Sequence, residues 1–150
     1  MKSRLASAIA LVLLSQSVSA DDRRPTAGIT LRHLASIGTD SFGATGAEIV
    51  AYDARTRRAF AINSTDNDLA VLDLTDPAAP ILLDKISLDA YGAGLNSVAT
   101  HDGLVAVAVE ASPSTDPGKV VFLKAHTLQI VGAVTVGALP DMLTFDGEGE

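Results

Sequence analysis

The stretch Ala47–Leu74, AEIVAYDARTRRAFAINSTDNDLAVLDL, decides the fold. It contains three short, apolar, β-prone runs, Glu48–Tyr52, Arg58–Asn63 and Asp68–Leu74. The polar turns Asp53–Arg57 and Ser64–Asn67 join them. Thr75–Pro80, TDPAAP, then breaks the pattern with two prolines, which cannot donate to a ladder. A fourth run, Ile81–Leu88, carries the charged pair Asp84-Lys85, as exposed outer strands do.

The same grammar recurs. Asn96–Lys124, NSVATHDGLVAVAVEASPSTDPGKVVFLK, places strands at Leu95–Thr100, Leu104–Glu110 and Lys119–Lys124, with an outer strand at Leu128–Val136. Matching VLDL at Val71–Leu74 to VFLK at Val121–Lys124 gives a repeat of about 50 residues, within the range of four-stranded propeller blades. Tyr91–Gly94 and Gly137–Pro140 cross from one unit to the next, and Met142–Phe145 opens a third. The expected fold is all-β: an incomplete β-propeller of two four-stranded blades plus the start of a third. The expected divisions are a signal peptide at 1–20, a lead-in with a latch-type strand at 21–45, and a partial propeller at 46–150. Its blades fall at about 46–88 and 95–136, and the third begins at 141. A ring needs at least about four blades of roughly 45 residues, so the chain reads as a truncated fragment or a broken reading frame.

Met1–Ala20, MKSRLASAIALVLLSQSVSA, has a basic start, a short apolar run and a small residue at its end. This is the secretory pattern, with cleavage expected after Ala20 and a periplasmic or extracellular mature chain. The apolar run is too short to span a bilayer, so no transmembrane segment is expected in the mature chain. The formal charge of −7 argues against a nucleic-acid partner. Arg55, Arg57 and Arg58 form the one dense basic group after the leader, read as a solvated turn between Asp53 and Asp66. The chain has no Cys, which removes disulfides and thiolate metal sites.

Several segments together resemble the N-terminal part of the choice-of-anchor I family. They are GAEIVAYD at Gly46–Asp53, VLDLTDPAAP at Val71–Pro80 and AYGAGLNSVATHDGLVAVAVEA at Ala90–Ala111, with DPGKVVF at Asp116–Phe122 and VTVGALPDMLTF at Val134–Phe145. The resemblance implies a large secreted bacterial protein with a seven-bladed, YVTN/WD40-like β-propeller, often labelled alkaline phosphatase. It would make Ile29–Ile37, read here as a strand, the outer strand of the last blade. After PDMLTF the family continues with a Pro-Asp-Gly-type turn and another strand, where this sequence has DGEGE.

Phosphatase chemistry would need clustered carboxylates with a divalent metal such as calcium, or an activated nucleophile. Asp66, Asp68, Asp73 and Asp76 are the richest carboxylate group, with Asp66 and Asp68 the metal candidates. An EF-hand is excluded, because counting from Asp66 the sixth position is Val71 and the twelfth Pro77. Asp, Asn and Ser here serve first as turn caps. Glu48 and Glu110 could face a central channel or lie at strand ends in water. His33 reads as a surface or packed residue. His101-Asp102-Gly103 and Asp146-Gly147 are hairpin turns first, and no nucleophile elbow surrounds Ser97. The Gly38–Gly46 loop has no phosphate-binding signature. No catalytic residue is assigned. The sequence leaves two functions: a secreted propeller that binds or scaffolds an unknown surface ligand or protein, or part of a metal-dependent, alkaline phosphatase-like phosphoester hydrolase.

Overall fold

The computed structural model describes residues 29–38, 47–64 and 66–149. The leader, its cleavage point and most of the Gly38–Gly46 loop lie outside them. The chain divides into two units, Met1–Arg32 and His33–Glu150. In the first, residues 29–32 have no regular secondary structure. Among the described residues the second contains eight strands: β1 (Ala47–Asp53), β2 (Arg58–Asn63), β3 (Asp68–Asp73), β4 (Ile81–Ser87), β5 (Gly94–His101), β6 (Leu104–Glu110), β7 (Pro117–Lys124) and β8 (Ile130–Ala138). They form two four-stranded antiparallel sheets, ordered β1-β2-β3-β4 and β5-β6-β7-β8. These are two consecutive blades of a β-propeller, each a meander.

Residue size explains which faces meet. In β2 and β3 the cross-strand pairs Phe60–Val71 and Ile62–Leu69 share one face, and all four side chains are buried. In the second blade Val98, Val105, Val107, Val109, Val121 and Leu123 share a face. Both sets belong to one hydrophobic cluster, with Leu88, Leu95 and Ala125. Each Val, Leu, Ile and Phe side chain of this cluster contributes about 1.5–3 kcal/mol by leaving water. The opposite faces are richer in alanine: Ala61 stands across from Ala70 and Ala106 across from Ala99, with Leu72 and Phe122 the larger residues there. The Ala/Val alternation of LVAVAVE is therefore a division of labour between the two sides of one strand.

The repeat is real but not uniform. The first strands are offset by 48 residues (Asp53 to His101) and the second by 46 (Arg58 to Leu104). The amide of Leu74 donates to the Arg57 carbonyl and that of Ala125 to the Gly103 carbonyl, both at 2.8 Å. Leu74 therefore corresponds to Ala125, an offset of 51, and VLDL superposes one residue later than VFLK. The longer loop before β7 absorbs the difference.

Two strand expectations are corrected, at residues 29–38 and at the start of β8. Residues 29–38, read as a strand from the sequence, have no regular secondary structure and no ladder partner among the described residues. Residues 141–146, where a third unit is expected to open, have no regular secondary structure among the described residues. β8 starts at Ile130 and not at Leu128, because Leu128 (φ 62°) is still in the turn, its amide bonded to the Lys124 carbonyl at 2.8 Å. The outer strands β4 and β8 are mostly exposed, as the Asp84-Lys85 pair implied.

Leu123→Ala should cost about 2–5 kcal/mol through the cavity it leaves in the seam between the blades. Val131→Ala, on the exposed outer strand, should stay within about 0.5 kcal/mol. Denaturant unfolding followed by circular dichroism separates them; equal effects would show that the seam is not the core.

Candidate functional site

The turns at one end of the blades are tied across the seam. Asp53 ends β1 and is 3 % exposed. Its Oδ2 accepts the amide (2.9 Å) and hydroxyl (2.6 Å) of Thr56 in its own turn. Its Oδ1 accepts the Gly103 amide of the next blade at 3.0 Å. A buried carboxylate is tolerable because N–H and O–H donors replace its water. Asp102 (φ 47°) and Gly103 (φ 86°) make the tight β5–β6 turn with two left-handed residues, which glycine at the second position eases. Arg55 Nη1 donates to the Asp102 carbonyl at 3.1 Å, and Arg58 Nη1 donates to the carbonyls of Ala125 and His126, each at 2.7 Å. Thr100 Oγ1 donates to the Tyr52 carbonyl at 3.0 Å. The basic turn read as merely solvated is, through Arg55 and Arg58, a clamp on the following blade. Sequence spacing gives no sign of these partners, since they are carbonyls 47 to 68 residues away.

Asp66 and Asp68 come together at the other end of the first blade. Asn63 lies directly across from Asp68, and its Nδ2 donates to Asp66 Oδ2 at 2.9 Å. Lys85 on β4 reaches Asp66 Oδ2 at 3.4 Å and Asp68 Oδ2 at 3.8 Å. Lys85 thus supplies the positive charge next to both metal candidates. Asn63 Oδ1 and Asp68 Oδ1 are buried without a hydrogen-bond partner. They are hard oxygens of the kind calcium takes, but calcium needs six to eight such ligands. Among the described residues, no three His, Cys, Asp or Glu side chains converge.

The remaining candidates are structural in their contacts. Asp73 and Asp76 cap the β3–β4 turn, accepting the amides of Thr75 (2.7 Å) and Ala78 (3.0 Å). Hydrogen bonds from Thr75, its hydroxyl first and then its amide, hold the exposed Asp73 carboxyl below its ordinary pKa. Ser97 Oγ accepts the Leu143 amide at 3.2 Å, which docks the chain leaving the second blade. Ser97 and His101 are four residues apart on one strand, about 13 Å along it. His101 packs on Phe145 instead, ring centroids 5.7 Å apart. Glu110 braces the crossover, its Oε2 accepting Asn96 Nδ2 at 3.1 Å. A side chain at Gly92 would strike the Glu110 carbonyl, so the crossover needs a glycine there. Glu48 is exposed, and His33 Nε2 lies 2.9 Å from Ser36 Oγ, a local surface contact.

The choice-of-anchor I domain model matches residues 48–150, most of the chain and both blades. The chain belongs to this family. Among curated proteins no sequence matches it. Among solved structures it is similar to a chain of hydrazine synthase from Kuenenia stuttgartiensis, at 13 % identity and a TM-score of 0.53. The match covers 69 % of this chain and 28 % of that one, and at such identity it speaks of fold alone. In this choice-of-anchor I chain, no helix among the described residues is long and apolar enough to cross a membrane.

Asp53→Asn should cost about 1–3 kcal/mol, because an amide nitrogen replaces one acceptor of a buried, fully bonded carboxylate. Hydrogen exchange should show the Gly103 amide losing protection; unchanged protection would dissolve the staple. Thr75→Val should raise the NMR titration midpoint of Asp73 toward the ordinary carboxylate value. A lowered folded pKa stabilises above the unfolded pKa and is lost as pH falls through the folded one, so the variant should lose part of that acid-side dependence.

Proposed function

We propose that this chain is part of a secreted β-propeller that binds or scaffolds a ligand or protein at the cell surface, through the turns at one end of its blades. The observation that supports this reading is the tie across the seam. Asp53, Arg55 and Arg58 fix three turns from two blades in one arrangement before any ligand arrives. Binding loops held in place avoid the ordering cost that flexible loops meet on binding. Export through the leader, cleaved near Ala20, puts the module where a surface ligand is met.

One observation favours a second reading, a metal-dependent phosphoester hydrolase. Asn63 Oδ1 and Asp68 Oδ1 are buried acceptors without donors, beside Asp66. Asn63, Asp66 and Asp68 would hold a cation such as calcium, which would supply Lewis-acid polarisation of a phosphoryl oxygen. Lys85 competes for the same carboxylates.

Two experiments separate the readings. The full-length protein fused to a fluorescent reporter should be retained saturably on washed cells, and the exported form should begin at Asp21. Retention no greater than that of the reporter alone would end the binding reading. For the second, calcium should raise the melting temperature, more strongly in Lys85→Met, and chelation should abolish turnover of p-nitrophenyl phosphate. A saturating site at a hundredfold excess over its Kd stabilises by about 2.7 kcal/mol. A melting temperature indifferent to calcium in both proteins removes the cation.

A further inference from the structure

We propose that the turn end of the seam carries a binding cleft for a small anionic ligand, a carboxylate or phosphate group on a molecule of about monosaccharide size. The inference rests on reading that end as the binding end, and it names the ligand chemistry.

A cleft of about 510 Å³ opens there, lined on one side by Arg55 and Thr56 of the β1–β2 turn. Lys124, His126 and Thr127 at the β7–β8 turn line the other, with Asp102 between. Its volume lies in the range of small-molecule sites, about 300–1,000 Å³. The whole chain carries −7, yet the cleft lining sets the permanent cations Arg55 and Lys124 against the Asp102 carboxylate, and behind the lining the buried Asp53 is matched by Arg58. Such a reversal of sign within a concave surface concentrates anions there.

The walls are held independently of any ligand. Arg58 grips the Ala125 and His126 carbonyls and so fixes the turn that carries Lys124 and His126. Arg55 is oriented by the Asp102 carbonyl, and Asp53 fixes Gly103 beneath it. Position also matters. In a propeller the broad faces of a blade are covered by its neighbours, while the strand ends stay open to solvent. The cleft lies at strand ends, so further blades would leave it accessible.

Glucose 6-phosphate, glucuronate and glucose share a sugar and differ in charge. Calorimetric titration of the full chain should show saturable binding of at least one anionic sugar and none of glucose; the tighter of the two names the group. Arg55→Gln and Lys124→Gln should each weaken binding about tenfold, the loss of one charge-assisted hydrogen bond. Asp102→Asn should tighten it several-fold by removing the opposing charge. Lys124 makes no tie across the seam, so its variant tests the site even if Arg55→Gln unfolds. Equal binding of glucose, no saturation in the millimolar range, or wild-type affinity in Lys124→Gln each overturns the proposal. Cell retention without anionic-sugar binding would leave the binding module standing and remove this cleft alone.

Discussion

The structure depends on one contact, the packing of Phe60, Ile62, Leu69 and Val71 against the valine-rich face of the next blade. A four-stranded sheet has two faces and cannot bury either by itself. The chain meets this by giving the first blade its large residues on the side facing the second, and the second its large residues on the side facing the first. Between the equivalent strands β2 and β6 the large positions shift phase by one residue, since Phe60 corresponds to Ala106. A one-residue change of phase turns a strand's apolar set to its other face. Here that change makes two large faces meet, where a large face would otherwise meet a small one.

Once the seam is formed, polar groups at the strand ends must be satisfied across it. Asp53 is taken out of water by the packing around it and recovers its bonds from Thr56 and Gly103. Arg58 meets two carbonyls that the β7–β8 turn leaves unpaired by strands. These bonds lock turns from both blades, and the cleft between them follows as a consequence of blade packing. Function, on this account, is placed by the same interaction that holds the fold.

The carboxylates illustrate how one residue type divides between tasks. Asp73 and Asp76 bond amides within two residues and shape a turn. Asp53 bonds a neighbouring blade. Asp66 and Asp68 share Lys85, leaving Asn63 Oδ1 and Asp68 Oδ1 as buried oxygens without donors. All five look alike in sequence. What separates them is how far each partner lies along the chain and how much water remains around the carboxylate.

The sequence by itself determined the strands, their antiparallel order and the blade repeat. These follow from local signals: β-prone runs such as RAFAIN and LVAVAVE, turn residues between them, and prolines where ladders stop. Strand limits at β2 and β6 matched to the residue, because a turn fixes each start. Tertiary structure alone decided which face of each blade is inside and the one-residue shift of the repeat. It also decided that Arg55 and Arg58 clamp a neighbouring blade and do not simply meet solvent. A ladder is legible in sequence because its period is two and its turns are short. A contact between blades joins residues about fifty positions apart through backbone carbonyls, which every residue has, so no side-chain pattern announces it.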